Sequence, residues 1–159
     1  MRRGHWHKRA TNATAKSSFH QARSRYLDGT RDDDPAWAWW IDDRELAWHE
    51  GVIHSHRDDW SSAVDAFAAS VEFIPTREVR SRYHHLAALI NAQVRAHAWR
   101  DASETLRRVM PLIDEIRSTR TAATLLGAIG YIDTVEPPPS TRDEAGQLRD
   151  TLAGAGCRR

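Results

Sequence analysis

The residue types that could do chemistry in this chain are its nine histidines, one cysteine, a short acidic run and a basic N-terminus. His49-Glu50-Gly51-Val52-Ile53-His54 comes near a zinc-protease helix, which needs two histidines four apart so that both project from one face. Here the spacing is five, which turns the second histidine about 140° round the axis beyond a full turn. His5 and His7, or His54 and His56, would share a face only in a strand, and His84 and His85 diverge as neighbours. No metal site is expected. Cys157 lies alone in a Gly-Ala-Gly-Cys-Arg-Arg tail, with no base beside it to make it a nucleophile and no second cysteine for an internal disulfide. Asp32-Asp33-Asp34 lacks the spaced oxygens of a calcium loop and reads as capping and solvation before a helix. No glycine-rich phosphate loop, serine elbow or carboxylate pair stands in a credible context. The expectation is a chain that is not an enzyme and carries no cofactor.

The elements that would position such residues are helices. Composition sets the class: 159 residues make one domain, 40% hydrophobic residues are too many for a disordered chain, and no apolar run is long enough for a membrane span. The N-terminus also lacks an apolar signal core, so a cytoplasmic location is expected. Lys+Arg 23 against Asp+Glu 22 gives no global field for a nucleic acid, and the basic Arg2-Arg3 to Arg9 stretch alone supports only weak, salt-sensitive contact. Two segments repeat one pattern. Trp60, Ala63, Phe67 and Val71 align with Trp99, Ala102, Leu106 and Met110, and the 3, 4, 4 spacing stacks each set on one helical face. The alanine is where a neighbouring helix must approach closely. A weaker third copy runs Ala15, Phe19, Ala22, Tyr26.

Each copy has an apolar helix upstream. Residues 36–56 follow Asp34 as N-cap with Pro35 in the first turn, and 78–96 carry Tyr83, Leu86, Ala87, Ile90 and Val94 at helical spacing. Pro75 should end the helix that begins near Trp60, Pro111 should kink or split the run from Asp101 to Ser118, and Thr119 to Asp133 reads as a further helix. After Pro137-Pro138-Pro139, Thr141 with Glu144 has the form of a capping box opening a short last helix. The expected division is a basic stub at 1–14, a helical repeat domain at 15–133, a proline-rich linker at 134–140 and a C-terminal helix and tail at 141–159.

This all-α pattern of stacked antiparallel hairpins resembles the tetratricopeptide repeat, a short α-solenoid with a period of ~34 residues. Gly51, Trp60, Ala63, Phe67 and Pro75 stand where that family places its small, aromatic, small, aromatic and terminating residues. The stretch Asp34 to Leu46, with Leu112 to Leu126, is also similar to the C-terminal repeat region of actinobacterial helix-turn-helix regulators of the XRE type. The room before Ala15 is too short for the DNA-binding domain that precedes the repeats in that family, so a fragment-like chain without specific DNA binding is expected.

The resemblance implies a concave face lined by the first helix of each hairpin. By phase, Glu45, Trp48, Val52 and Ser55 line one hairpin and His84, Ala87, Asn91 and Arg95 the next, with Asn91 and Arg95 one turn apart and able to clamp a carbonyl and a carboxylate. The expected function is non-catalytic binding of a protein or peptide, as the sensory part of a regulator. The alternative is a homodimerisation module. The four tryptophans at 37, 39, 40 and 48 read first as core and inter-hairpin packing, and second as an aromatic lining.

Overall fold

The computed structural model describes residues 5–29, 42–116 and 118–157, and those residues form seven helices and no strand. α1 (His5–Leu27) is followed by α2 (Asp43–Ser55), α3 (Trp60–Glu72), α4 (Val79–Arg95), α5 (Trp99–Glu115), α6 (Thr119–Ile132) and α7 (Pro139–Cys157). The Asp34–Pro35 start signal and Trp37, Trp39 and Trp40 lie outside the described residues. α2 begins later than expected: Asp42 has extended backbone and its carboxylate accepts the Glu45 N–H at 2.9 Å, which makes it the N-cap.

α2 and α3 form an antiparallel hairpin whose crossing is set by a glycine. A Cβ on Gly51 would lie 2.6 Å from two carbons of the Phe67 ring. Trp48, one turn earlier on α2, packs its ring 5.2 Å from the same phenyl. The absent side chain is therefore the space that Phe67 occupies.

Two turns share one design. Asp58 (φ 58°) and His97 (φ 57°) are left-handed, and each stands two residues before a tryptophan that opens the next helix. The following residue donates its N–H back to a carbonyl five earlier, Asp59 to His54 at 3.1 Å and Ala98 to Gln93 at 2.9 Å. The left-handed residue closes the inner bond, Asp58 to Ser55 and His97 to Val94. This is the Schellman stop, made twice without glycine.

The core is built on α4, which packs against α3, α5 and α6, while α7 lies against α5 and α6. Tyr83, Leu86, Ala87, Ile90 and Val94 are all buried, as their periodicity predicts, and meet Ala63, Phe67, Ala102, Leu106, Val109, Leu125, Ile129 and Leu148. Burying each large aliphatic contributes roughly 1.5–3 kcal/mol. In α5 the buried residue of the fourth turn is Val109, and Met110 is half-buried at the edge.

Pro111 does not split the run: α5 continues through it to Glu115. The carbonyl it deprives of an N–H belongs to Arg107, on the exposed side of the helix where the group stays open to solvent, and Val109 and Ile113 anchor the turns on either side in the core. The capping box also fails. Thr141 is 1% exposed inside α7, its hydroxyl 2.9 Å from Ser103 Oγ and within reach of the Trp99 carbonyl, while Glu144 pairs with Arg107 at 3.5 Å. α7 is a full-length helix whose Ala145 and Leu148 belong to the core. The third sequence copy lacks the packing of the other two. α1 runs unbroken across residue 14, touches α2 through an Arg23–Glu50 pair at 3.6 Å, and leaves Ala22 exposed.

Candidate functional site

α2, α4 and α6 carry the face expected to bind. Arg44 reaches Glu78 at 2.8 Å and Trp48 lies 4.7 Å from His84 and 4.3 Å from His85, so α2 and α4 run parallel in register. Farther along, the Arg95 guanidinium lies over the Tyr131 ring of α6, which repeats the same parallel register one helix on.

Of the eight expected residues, Trp48, Val52, Ser55, His84, Asn91 and Arg95 are half-buried along this surface. Glu45 is also half-buried, with its carboxylate 3.7 Å from Arg44 and 4.0 Å from His49. Ala87 is misplaced. It is fully buried and belongs to the core, and Ala88, half-buried, holds the surface position instead. The error is one residue of phase: at 100° per residue, position 87 turns into the hairpin while 84, 88, 91 and 95 share a stripe. Trp48 is not an open aromatic plate, because its ring is packed between Phe67 and the two histidines of α4. Ser55 donates to the Gly51 carbonyl at 2.8 Å.

Arg95 is the most elaborated position on the face. Its guanidinium carbon lies 5.1 Å from the centroid of Trp60 and 5.0 Å from that of Tyr131, and its Nε–H donates to Asn91 Oδ1 at 3.3 Å. Tyr131 is held in turn by His97, whose Nε2 is 3.1 Å from the phenol oxygen and whose ring stacks on Trp99 at 5.0 Å. Trp60 and Trp99 are the aligned tryptophans of the repeated sequence pattern. Tyr131 and His97 were not singled out by the sequence, because their link to Arg95 depends on a left-handed turn and a helix 36 positions away.

A second pair escaped the sequence reading. Ser70 Oγ donates to the Phe67 carbonyl at 2.8 Å and lies 3.0 Å from His85 Nδ1, so the imidazole is the donor to the hydroxyl. Burial, reinforced by His84 and Arg44, holds the His85 pKa down to about 4, so the ring is neutral. A serine nucleophile needs a histidine that takes its proton. Here the imidazole N–H donates the hydrogen bond instead, and Ser70 is fully buried, so the pair ties α3 to α4. Burial, with Arg120 adding to it, also lowers the neighbouring His84. Of the near-zinc motif, His49 is exposed beside Glu45 and His54 bonds Asp59 across the turn at 2.9 Å. Among the described residues no group of three histidine, cysteine or acidic side chains is placed to hold a metal ion.

No family model, curated protein or solved structure matches this chain. The site is therefore defined by its own geometry: a face on α2, α4 and α6 with a cluster of rings, Trp48, His84 and His85, at one end and the ring-and-cation cluster of Arg95 at the other. No helix among the described residues is long and apolar enough to cross a membrane.

Proposed function

We propose that this chain is a non-catalytic helical-repeat module of tetratricopeptide-like architecture, acting in the cytoplasm, whose α2–α4–α6 face binds a protein or peptide. The observation that carries the reading is the repeated parallel register of the first helices. Trp48–His84 and Arg95–Tyr131 are each separated by 36 residues, close to the ~34 of one such repeat, while the aligned Trp60 and Trp99 stand 39 apart. Between the Trp48–His84 and Arg95–Tyr131 contacts the half-buried residues of α2 and α4 on this surface are Val52, Ser55, Ala88 and Asn91, side chains short enough for a chain to lie against. A sensory role in a transcriptional regulator, with DNA binding supplied elsewhere, follows from the sequence resemblance alone.

The test is selection of peptides from a displayed library on the purified chain, followed by titration of the best binder against wild type and Ala88→Arg. Ala88 is half-buried, so a long side chain there reaches outward and obstructs the face while the fold persists. Loss of binding of tenfold or more is expected. Failure to recover any binder below about 100 µM, a weak affinity by protein standards, or indifference to Ala88→Arg, would remove the reading.

One observation favours a second reading, self-association. α6 turns Ala123, Leu126, Gly127 and Gly130 to the outside, and Leu126 is 48% exposed. Light scattering on wild type and Leu126→Glu decides it: a dimer converted to monomer by that change would make this face the functional one.

A further inference from the structure

The ring-and-cation cluster at the hairpin tips has features that packing alone does not require. Arg95 ends α4, and its charge meets no carboxylate within ion-pair distance among the described residues, although the chain is rich in acids. Its Nε is occupied by Asn91. Its two terminal nitrogens meet no acceptor among the described residues and are not among the buried polar atoms lacking partners, and the side chain is half-buried at the surface. Meanwhile the rest of the side chain is fixed. Trp60 from α3 and Tyr131 from α6 lie against the guanidinium, and Tyr131 is itself braced by His97 on Trp99. Asn91 turns its carbonyl oxygen to Arg95, and its amide N–H donors meet no acceptor among the described residues.

A guanidinium held by its faces and stem presents its edge, and that edge is a planar fork of parallel donors. The complementary group is a planar two-oxygen anion. Because the rotamer is already fixed, the entropy normally lost in ordering an arginine on binding is largely absent. We infer that Arg95, with Asn91 beside it and Trp60 and Tyr131 as walls, forms a receptor for a carboxylate on a peptide, with the aromatic rings contacting the carbons that carry it. This assignment rests on the peptide-binding reading above, since Asn91 and Arg95 lie on the same face, but the small carboxylate probes succeed or fail independently of the displayed-peptide selection and of Ala88→Arg. The carboxylate can come from an acidic side chain or a chain terminus, and both present the same fork-matching group.

The experiment follows the Arg95 Nε–Hε and Trp60 indole signals by NMR in the full chain, at constant ionic strength. The probes are amidated Ac-Ala-Glu-Ala, Ac-Ala-Ala-Ala with a free C-terminus, amidated Ac-Ala-Gln-Ala, and inorganic phosphate. Saturable shifts with half-saturation near ~1–10 mM, the range of a single-group contact, are expected for one or both carboxylate peptides, and the tighter of the two names the source. Arg95→Met, which keeps the stem, should weaken binding at least tenfold, and Arg95→Lys, which keeps charge but not the fork, should weaken it severalfold. Should Arg95→Met fail to fold by circular dichroism, Arg95→Lys carries the comparison. The proposal is overturned if neither carboxylate peptide gives a saturable shift, if the glutamine peptide matches the glutamate one, if phosphate binds more tightly than both, or if Arg95→Lys binds as wild type does.

Discussion

Gly51→Ala separates two opposing effects whose sizes can be worked out. In a helix interior alanine is favoured over glycine by about 1 kcal/mol, so at an open position the change stabilises. At Gly51 the new methyl would meet Phe67 carbons at 2.6 and 2.9 Å, about 1 Å inside normal carbon contact. The ring has little room to withdraw, being 4% exposed with Trp48 packed on it. Overpacking of this kind costs about 1–3 kcal/mol. With the upper half of that range set against the propensity gain, the net loss is about 1–2 kcal/mol, or a Tm lower by about 3–6 °C for a chain of this size. Urea unfolding followed by circular dichroism measures it. Phe67→Leu should recover part of the loss in the double variant, because the two sites touch. Gly127→Ala is the control: nothing lies within 4 Å of its Cβ position, so a gain approaching 1 kcal/mol is expected. A Gly51→Ala protein as stable as wild type, or more stable, refutes the close crossing of α2 and α3.

Three further outcomes are expected. His85 is held neutral with a pKa of about 4, below the ~6.5 of an unfolded chain, so the unfolded state binds more protons on acidification. Its contribution is present above about pH 6.5 and is lost progressively as pH falls towards 4, by about 3 kcal/mol in all; urea titrations at several pH values should show this slope reduced in His85→Gln. Asp58→Gly relieves a left-handed backbone at φ 58° and should raise stability by about 0.5–1 kcal/mol in thermal melts, with a loss ruling out the turn geometry. Thr141→Val leaves the Ser103 hydroxyl buried without its partner and should cost about 1–3 kcal/mol, with Ser103→Ala/Thr141→Val losing less than the sum of the single changes in the same unfolding assay.

Periodicity made the middle of the chain legible. Ala63, Phe67, Ala102, Leu106 and the α4 stripe were readable because each faces one core over several turns, and Pro75 marked an end. Phase was less secure. A 3, 4, 4 spacing drifts round a 3.6-residue helix, so it selected Met110 where Val109 is buried, and a similar one-residue error put Ala87 on the open face. Local signals misled where distant contacts dominate. Thr141 and Glu144 have cap spacing, but a hydroxyl 38 residues away and Arg107 hold them. Of the proposed face, the first-helix positions could be placed from the sequence pattern. The bracing of Arg95 could not, because Tyr131 and His97 reach it only through the assembled helices.

The central place of α4 has a consequence for motion. Nine of its 17 residues are buried, while α1 holds to the body by little more than one edge. Hydrogen exchange should therefore be graded along the chain: α1 amides exchange early, and those of Leu86 to Val94 exchange only when the whole molecule opens. A ligand seated on the α4 surface would in that case bear on the least yielding helix of the molecule, and its binding would register as slower global opening rather than as a local change of shape.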